Sequence, residues 1–216
     1  VLTKPGLGGI VASVKEGRVT FQRILTYTLN SVNKKIVQVF FLAAGLVMTG
    51  HAILTPMLMV IIMLTGDLLG MSLATDNVRP SPKPNAWRIG ALTAAGVFVG
   101  LCELVFCTAF LAVAKFRLGL GIDMLRTMAF VLIVFGNQAT TYTNRERQHL
   151  GSCRPSRWLV GSSVMDLTIA STLAACGIAM APLPILVLAG ALVGAVIFAL
   201  ILDFVKVPVF HRLGIA

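Results

Sequence analysis

"LTPMLMVIIMLTGDLLGMSLATDNVRPSPKPNAW", residues 54–87, is the stretch on which the fold turns. From Leu54 to Leu64 it carries no charge at all. Asp67 then stands between Gly66 and Gly70, and a basic, proline-rich knot with Arg79 and Lys83 closes it. An apolar run that ends in a basic connection reads as a membrane helix and its loop. The acid inside it calls for an explanation, because carboxylates within membrane helices are costly and mark interior or ion-conducting positions.

The rest of the chain agrees with that reading. Of its 216 residues, 57% are hydrophobic and 12% charged, where a soluble domain carries about 25% charged residues. Six apolar stretches, at about 36–50, 52–74, 89–114, 122–143, 158–180 and 183–204, approach the roughly 20 residues a spanning helix needs. The expected fold class is therefore an all-α integral membrane protein, a bundle of six transmembrane helices. No internal repeat at a fixed period is visible, which weighs against an inverted-repeat carrier.

The net charge of +10 raises nucleic-acid binding, but the basic residues are not gathered into a patch with stacking aromatics. They sit between the apolar runs. With the N-terminus inside, fifteen Lys and Arg fall on the inner side and three, Lys115, Arg117 and Arg126, on the outer. That asymmetry puts both termini in the cytoplasm and leaves no reason to invoke nucleic acid. The expected setting is a cell membrane, bacterial by the resemblance given below.

Residues 1–35 differ in kind. A short strand-like piece and a Pro-Gly turn lead into a helical pattern that carries Arg18 and Arg23 among Val14, Phe21, Ile24 and Tyr27. So much polar surface does not belong in lipid, so this part is expected to project as a stalk. The reading divides the chain into 1–35 and a transmembrane domain, 36–216.

Chemistry-bearing residues are few. The four cysteines form no CxxC pair, and His51, His149 and His211 lie far apart, so neither a metal centre nor a catalytic set is expected. Asp67 is the leading ion-binding candidate: Gly66 and Gly70 weaken the helix on either side and could free carbonyls for a cation. Asn137 and Gln138 in "FGNQATTYT" could coordinate an ion or join helices. Glu103 and Asp166, mid-helix, are candidates for the ion path. On the first helix Asn30, Lys34, Gln38 and Phe41 form one stripe at helical spacing, read as the wet inner end of that helix with Lys34 or Lys35 snorkelling, and Lys34 and Gln38 are further candidates for the ion path. Asp123 and Asp203 lie near helix ends, where solvent or a neighbouring base suffices.

These pieces resemble a known family. "VLTKPGL", "GRVTFQRI" and the following Tyr27 look like the end of the phosphorylation domain and the stalk helix of a P-type ATPase. "GDLLGMSLATDNVRPSPKPNAWRI" is similar to the sixth membrane helix and loop of the plasma-membrane proton-pump branch. "LRTMAFVLIVFGNQATTYTNRER" and "SCRPSRWL" resemble the eighth helix and its loop in bacterial members. The resemblance implies that the six spans are the last six of ten and that Asp67 falls on the proton-carrying acid. Gly66 and Val37 stand where plant and fungal members have Asn and Arg; Lys34, Lys35 or Gln38 are the residues available to compensate. None of DKTGT, TGES or TGDGVND occurs in the 216 residues, and phosphoryl transfer needs such an apparatus to position phosphate and Mg²⁺.

The expectation is thus the C-terminal transport half of an ATP-driven cation pump, with the proton as first choice and calcium or another metal ion as the alternative. ATP and Mg²⁺ are then cofactors of the complete pump rather than of these residues. The expected partners are the lipid bilayer, the cation, and the preceding membrane helices and cytosolic domains. A non-catalytic membrane subunit descended from such a pump, or a secondary carrier protonated at Asp67, are the competing readings.

Overall fold

In the computed structural model, residues 7–78, 80, 88–147, 149–151 and 153–214 are described. The strand-like start, the Pro-Gly turn and most of the basic, proline-rich connection, including Arg79 and Lys83, lie outside them. The described residues form six helices and no strand: α1 (Leu7–Thr49), α2 (Pro56–Ser72, running into a 3-10 turn, Leu73–Thr75), α3 (Ile89–Phe116), α4 (Ile122–Arg145), α5 (Arg157–Cys176) and α6 (Ile185–Arg212). All six are long and apolar enough to cross a membrane. This is an all-α, multi-pass membrane protein.

Local chemistry sets the ends of these helices. The second span, expected from 52, starts at Pro56, where Thr55 accepts a hydrogen bond from the Leu58 amide at 3.4 Å. Proline at the first helical position has no amide to leave unsatisfied. The fifth span, expected to reach 180, ends at Cys176 because Gly177 takes the left-handed conformation that closes helices (φ 70°). Pro184 delays the sixth to Ile185, and that helix then runs through Pro208 to Arg212, beyond the expected 204.

α1 has 43 residues, about 65 Å at 1.5 Å per residue, against a hydrocarbon core of about 30 Å. No residue of α1 before Thr26 is buried, and the helix runs unbroken through residues 35 and 36, where the sequence divided it.

α4 is the axis of the bundle. In its apolar window 78% of residues are buried, against 22–33% in the other five. It packs against α6, α3, α1, α5 and α2. Lipid is as apolar as leucine, so the polar side chains of a membrane bundle belong inside. α4 obeys: Thr127, Asn137, Gln138, Thr140, Thr141, Thr143 and Asn144 are all buried.

The largest helix interface is α1 against α3, and two glycines permit it. A methyl group at Gly96 would stand 2.8 Å from Val32 Cγ1, and one at Gly100 would stand 3.1 Å from both Asn33 Oδ1 and Ile36 Cβ. Small residues four apart let the two backbones approach, and dispersion supplies the attraction.

The helix ends are tied at two poles. At one, Lys115 donates to the Met48 carbonyl, Arg126 to the Ala52 carbonyl (3.1 Å) and Thr127 to the Ala181 carbonyl (2.8 Å). At the other, Asp76 is paired with Arg145 (2.7 Å), accepts the Ser156 amide (2.9 Å), and offers its backbone carbonyl to Arg23 (2.9 Å). Lys206, wholly buried, donates there to the Thr143 and Glu146 carbonyls and pairs with Asp203 (2.9 Å). The helices therefore alternate in direction.

Candidate ion site

α1 carries Asn30, Asn33, Lys34 and Gln38 on neighbouring turns. Asn33 turns towards α3 and α4, and Lys34, one residue on, turns towards α2. Lys34 Nζ donates to the Gly66 carbonyl at 3.0 Å, and a methyl at Gly66 would stand 3.4 Å from that nitrogen. Gly70 plays the same part for Tyr27, whose ring carbon lies 3.6 Å from where a Cβ would be. α2 runs unbroken through both glycines. They do not interrupt it, and a Cβ at either would make only ordinary van der Waals contact with the α1 side chain beside it.

Asp67 follows Gly66 and is exposed, as are Leu64, Leu68 and Met71. Among the six helices it faces outward rather than into the bundle. Lys34 lies in the field of three carboxylates: Asp67 on α2, Glu103 on α3 and Asp166 on α5. Lys34 is therefore the cation on which these acids converge, and Lys35 beside it is exposed.

The two other mid-helix acids are buried, each in its own polar set. Glu103 is 0% exposed. Its Oε2 accepts from Asn33 Nδ2 (2.8 Å) and Thr140 Oγ1 (3.1 Å), and Gly136 leaves room for the carboxyl: a Cβ there would stand 2.7 Å from Oε1. Asp166 Oδ2 accepts from Gln138 Nε2 at 2.6 Å, and Thr65 of α2, whose hydroxyl donates to the Ile61 carbonyl at 3.1 Å, stands near the carboxylate. Asn144 donates to Asn30 Oδ1 at 2.7 Å, one turn nearer the Asp76 pole. Asn137 is buried on α4 and Gln38 half-buried on α1, while Phe41 closes the stripe in the core.

The candidates thus fall into three groups: Lys34 with Gly66 and Asp67, Glu103 with Asn33 and Thr140, and Asp166 with Gln138 and Thr65. Asn33, Thr65 and Thr140 are the members that sequence reasoning missed. A signal for Thr140 was present: Asn137, Thr140, Thr141 and Asn144 recur at i, i+3, i+4 and i+7, a polar stripe on an otherwise apolar helix. Of the helix-end acids, Asp123 pairs with Arg126 (2.9 Å), and Asp203 with Lys206 and His149. No group of three or more His, Cys, Asp or Glu fit to hold a metal ion occurs among the described residues.

No protein-family model matches the sequence. Over 184 residues, 85% of the chain, it is 27% identical to a protein of Methanocaldococcus jannaschii described as a "Putative cation-transporting ATPase". The chain spans 23% of that relative's length. Most of this six-helix chain is therefore similar in sequence to a part of a much longer protein so described.

Proposed function

We propose that the chain is the ion-translocating membrane portion of an ATP-driven cation pump of the P-type, that the cation is the proton, and that Asp67 carries it. What carries the reading is that the Lys34 ammonium of α1 bonds the Gly66 carbonyl of α2 and lies in the field of Asp67, the next residue. It stands in a chain whose sequence follows a cation-transporting ATPase over 184 residues.

An Asp facing lipid near the middle of a helix costs about 2.5–3.5 kcal/mol on insertion scales. The outward face of α2 therefore needs cover, and further helices of the same pump would cover it. A carboxyl enclosed there beside a lysine has two useful states. Protonated, it leaves Lys34 bonded to the Gly66 carbonyl; ionised, it is drawn to the ammonium. ATP hydrolysis, in domains beyond these residues, would move α1 through its projecting stalk and so change which side Asp67 meets.

The test uses the complete pump in vesicles, with ATP-driven acidification as the readout and protein level checked for each variant. Asp67→Asn keeps size and removes titration, so acidification is expected to fall at least tenfold. Asp67→Glu is expected to retain part of it with a displaced pH optimum. Pumping by Asp67→Asn at the wild-type rate would show the acid to be structural.

A further inference from the structure

Glu103 is not used by that reading, and it shares with Asp166 a buried carboxylate oxygen without a hydrogen-bond partner. Oε2 takes both donors, from Asn33 and Thr140, whereas the buried Oε1 has no hydrogen-bond partner. Buried polar atoms in folded proteins are nearly always satisfied. The same lack recurs along the seam between α1 and α4: Asn33 Oδ1, Asn30 Nδ2 and Asn144 Oδ1 are also buried without partners. These atoms follow one another towards the Asp76 pole, since Asn30 lies about 4.5 Å before Asn33, and Asn144 about 6 Å beyond Thr140, at 1.5 Å per residue. Asn144 adjoins Arg145, which bonds the Cys153 and Asn77 carbonyls at 2.9 and 3.2 Å in the connections at that pole. Unpartnered amide groups at such spacing are where bridging water is held.

We propose that Glu103 is a second proton-binding site of this protein, one whose carboxyl gains and loses a proton at Oε1 through the asparagine seam between α1 and α4. The proton comes from water at the Asp76 pole, forms an O–H bond on Oε1, and returns to water by the same route. A metal ion does not fit. Oε1 lies against the α4 backbone at Gly136, Oε2 is taken by two donors, and no further acid is gathered with Glu103. A proton needs one oxygen only.

The charged and titratable groups around Glu103 are few. α1 presents Lys34, and α3 presents Cys107, whose thiol donates to the Leu132 carbonyl. α4 shows Gly136 and Thr140 on this side, with Tyr142 half-buried and bonded to Ser163 at 3.0 Å. On α6, Asp203 and Lys206 neutralise each other at the Asp76 pole. Asp67 and Asp166 act on the same Lys34 from α2 and α5.

Infrared difference spectroscopy of the chain in lipid vesicles tests this without ATP, so the result is independent of the transport reading. A carboxylic-acid carbonyl band is expected that fades as pH rises, shifts on transfer to D₂O, vanishes in Glu103→Gln and persists in Asp67→Asn. Thr140→Val removes a donor to the ionised form, so it moves the midpoint of that band upward. This second variant decides the matter should circular dichroism show Glu103→Gln to be unfolded. The proposal is overturned by a spectrum that Glu103→Gln leaves unchanged, by a band that neither titrates nor exchanges, or by an unmoved midpoint in Thr140→Val.

Discussion

At the scale of single residues, the buried ion pair Asp76–Arg145 shows how a membrane protein spends charge where its helices meet water. Both side chains are nearly buried, at 3% and 4% exposure, and the pair joins the ends of α2, α4 and α5 to α1. Asp76→Ala leaves a buried guanidinium whose remaining carboxylate is Glu146 at 3.2 Å, beside the Cys153 and Asn77 carbonyls. Breaking such a pair is expected to destabilise the fold by about 3 kcal/mol. Asp123→Ala, at the opposite pole, removes a carboxylate that is 72% exposed, and surface pairs of that kind contribute less than about 1 kcal/mol. Thermal unfolding in detergent compares the two; equal losses would contradict the assignment of Asp76 as the knot. The sequence showed Glu103 and Asp166 plainly, because a charge within an apolar run is visible in one dimension. It did not show Asn33 or Thr140 as their partners, since an Asn on α1 and a Thr on α4 are ordinary until the two helix phases are known. Nor did it show that Asp67 faces away from the other five helices, which depends on the rotation of α2 about its own axis.

At the scale of helices, the existence and number of spans were legible from length and apolarity, and their ends were not. Gly177 and Pro184 shifted boundaries by local backbone chemistry that a hydropathy pattern does not register. The central place of α4 was written in its polar content, since a spanning helix with buried amides and hydroxyls on several sides has nowhere to face lipid. The α1–α3 contact depends instead on the absence of side chains. Gly100→Leu is expected to force the helices apart and cost about 1–3 kcal/mol, as overpacking does, with Gly96→Leu similar. Gly90→Leu is the control, because a Cβ there meets nothing within 4 Å. Loss of helical signal on heating should fall in that order. A Gly100→Leu protein as stable as the control would mean that the interface is looser than the described packing.

At the scale of the whole molecule, six alternating helices put both chain ends on one side, and the poles carry different charge. The ends of α1, α3 and α5 share one pole with only Lys115, Arg117 and Arg126. Two of these are already engaged, Lys115 with the last carbonyls of α1 and Arg126 with Asp123 and the Ala52 carbonyl. The opposite pole holds the Asp76 knot and the N-terminal part of α1. Positive residues are retained on the cytoplasmic side during insertion, so the knot is expected inside and the Lys115 pole outside. Single cysteines placed at Leu118, Ile178 and Lys15, all exposed, test this once Cys102, Cys107, Cys153 and Cys176 are replaced. A membrane-impermeant maleimide added to intact cells should label positions 118 and 178, and should reach position 15 only after permeabilisation. Labelling of position 15 in intact cells would invert the orientation, and with it the side from which Glu103 is proposed to take its proton. Labelling of 118 and 15 together would break the alternation of the helices itself.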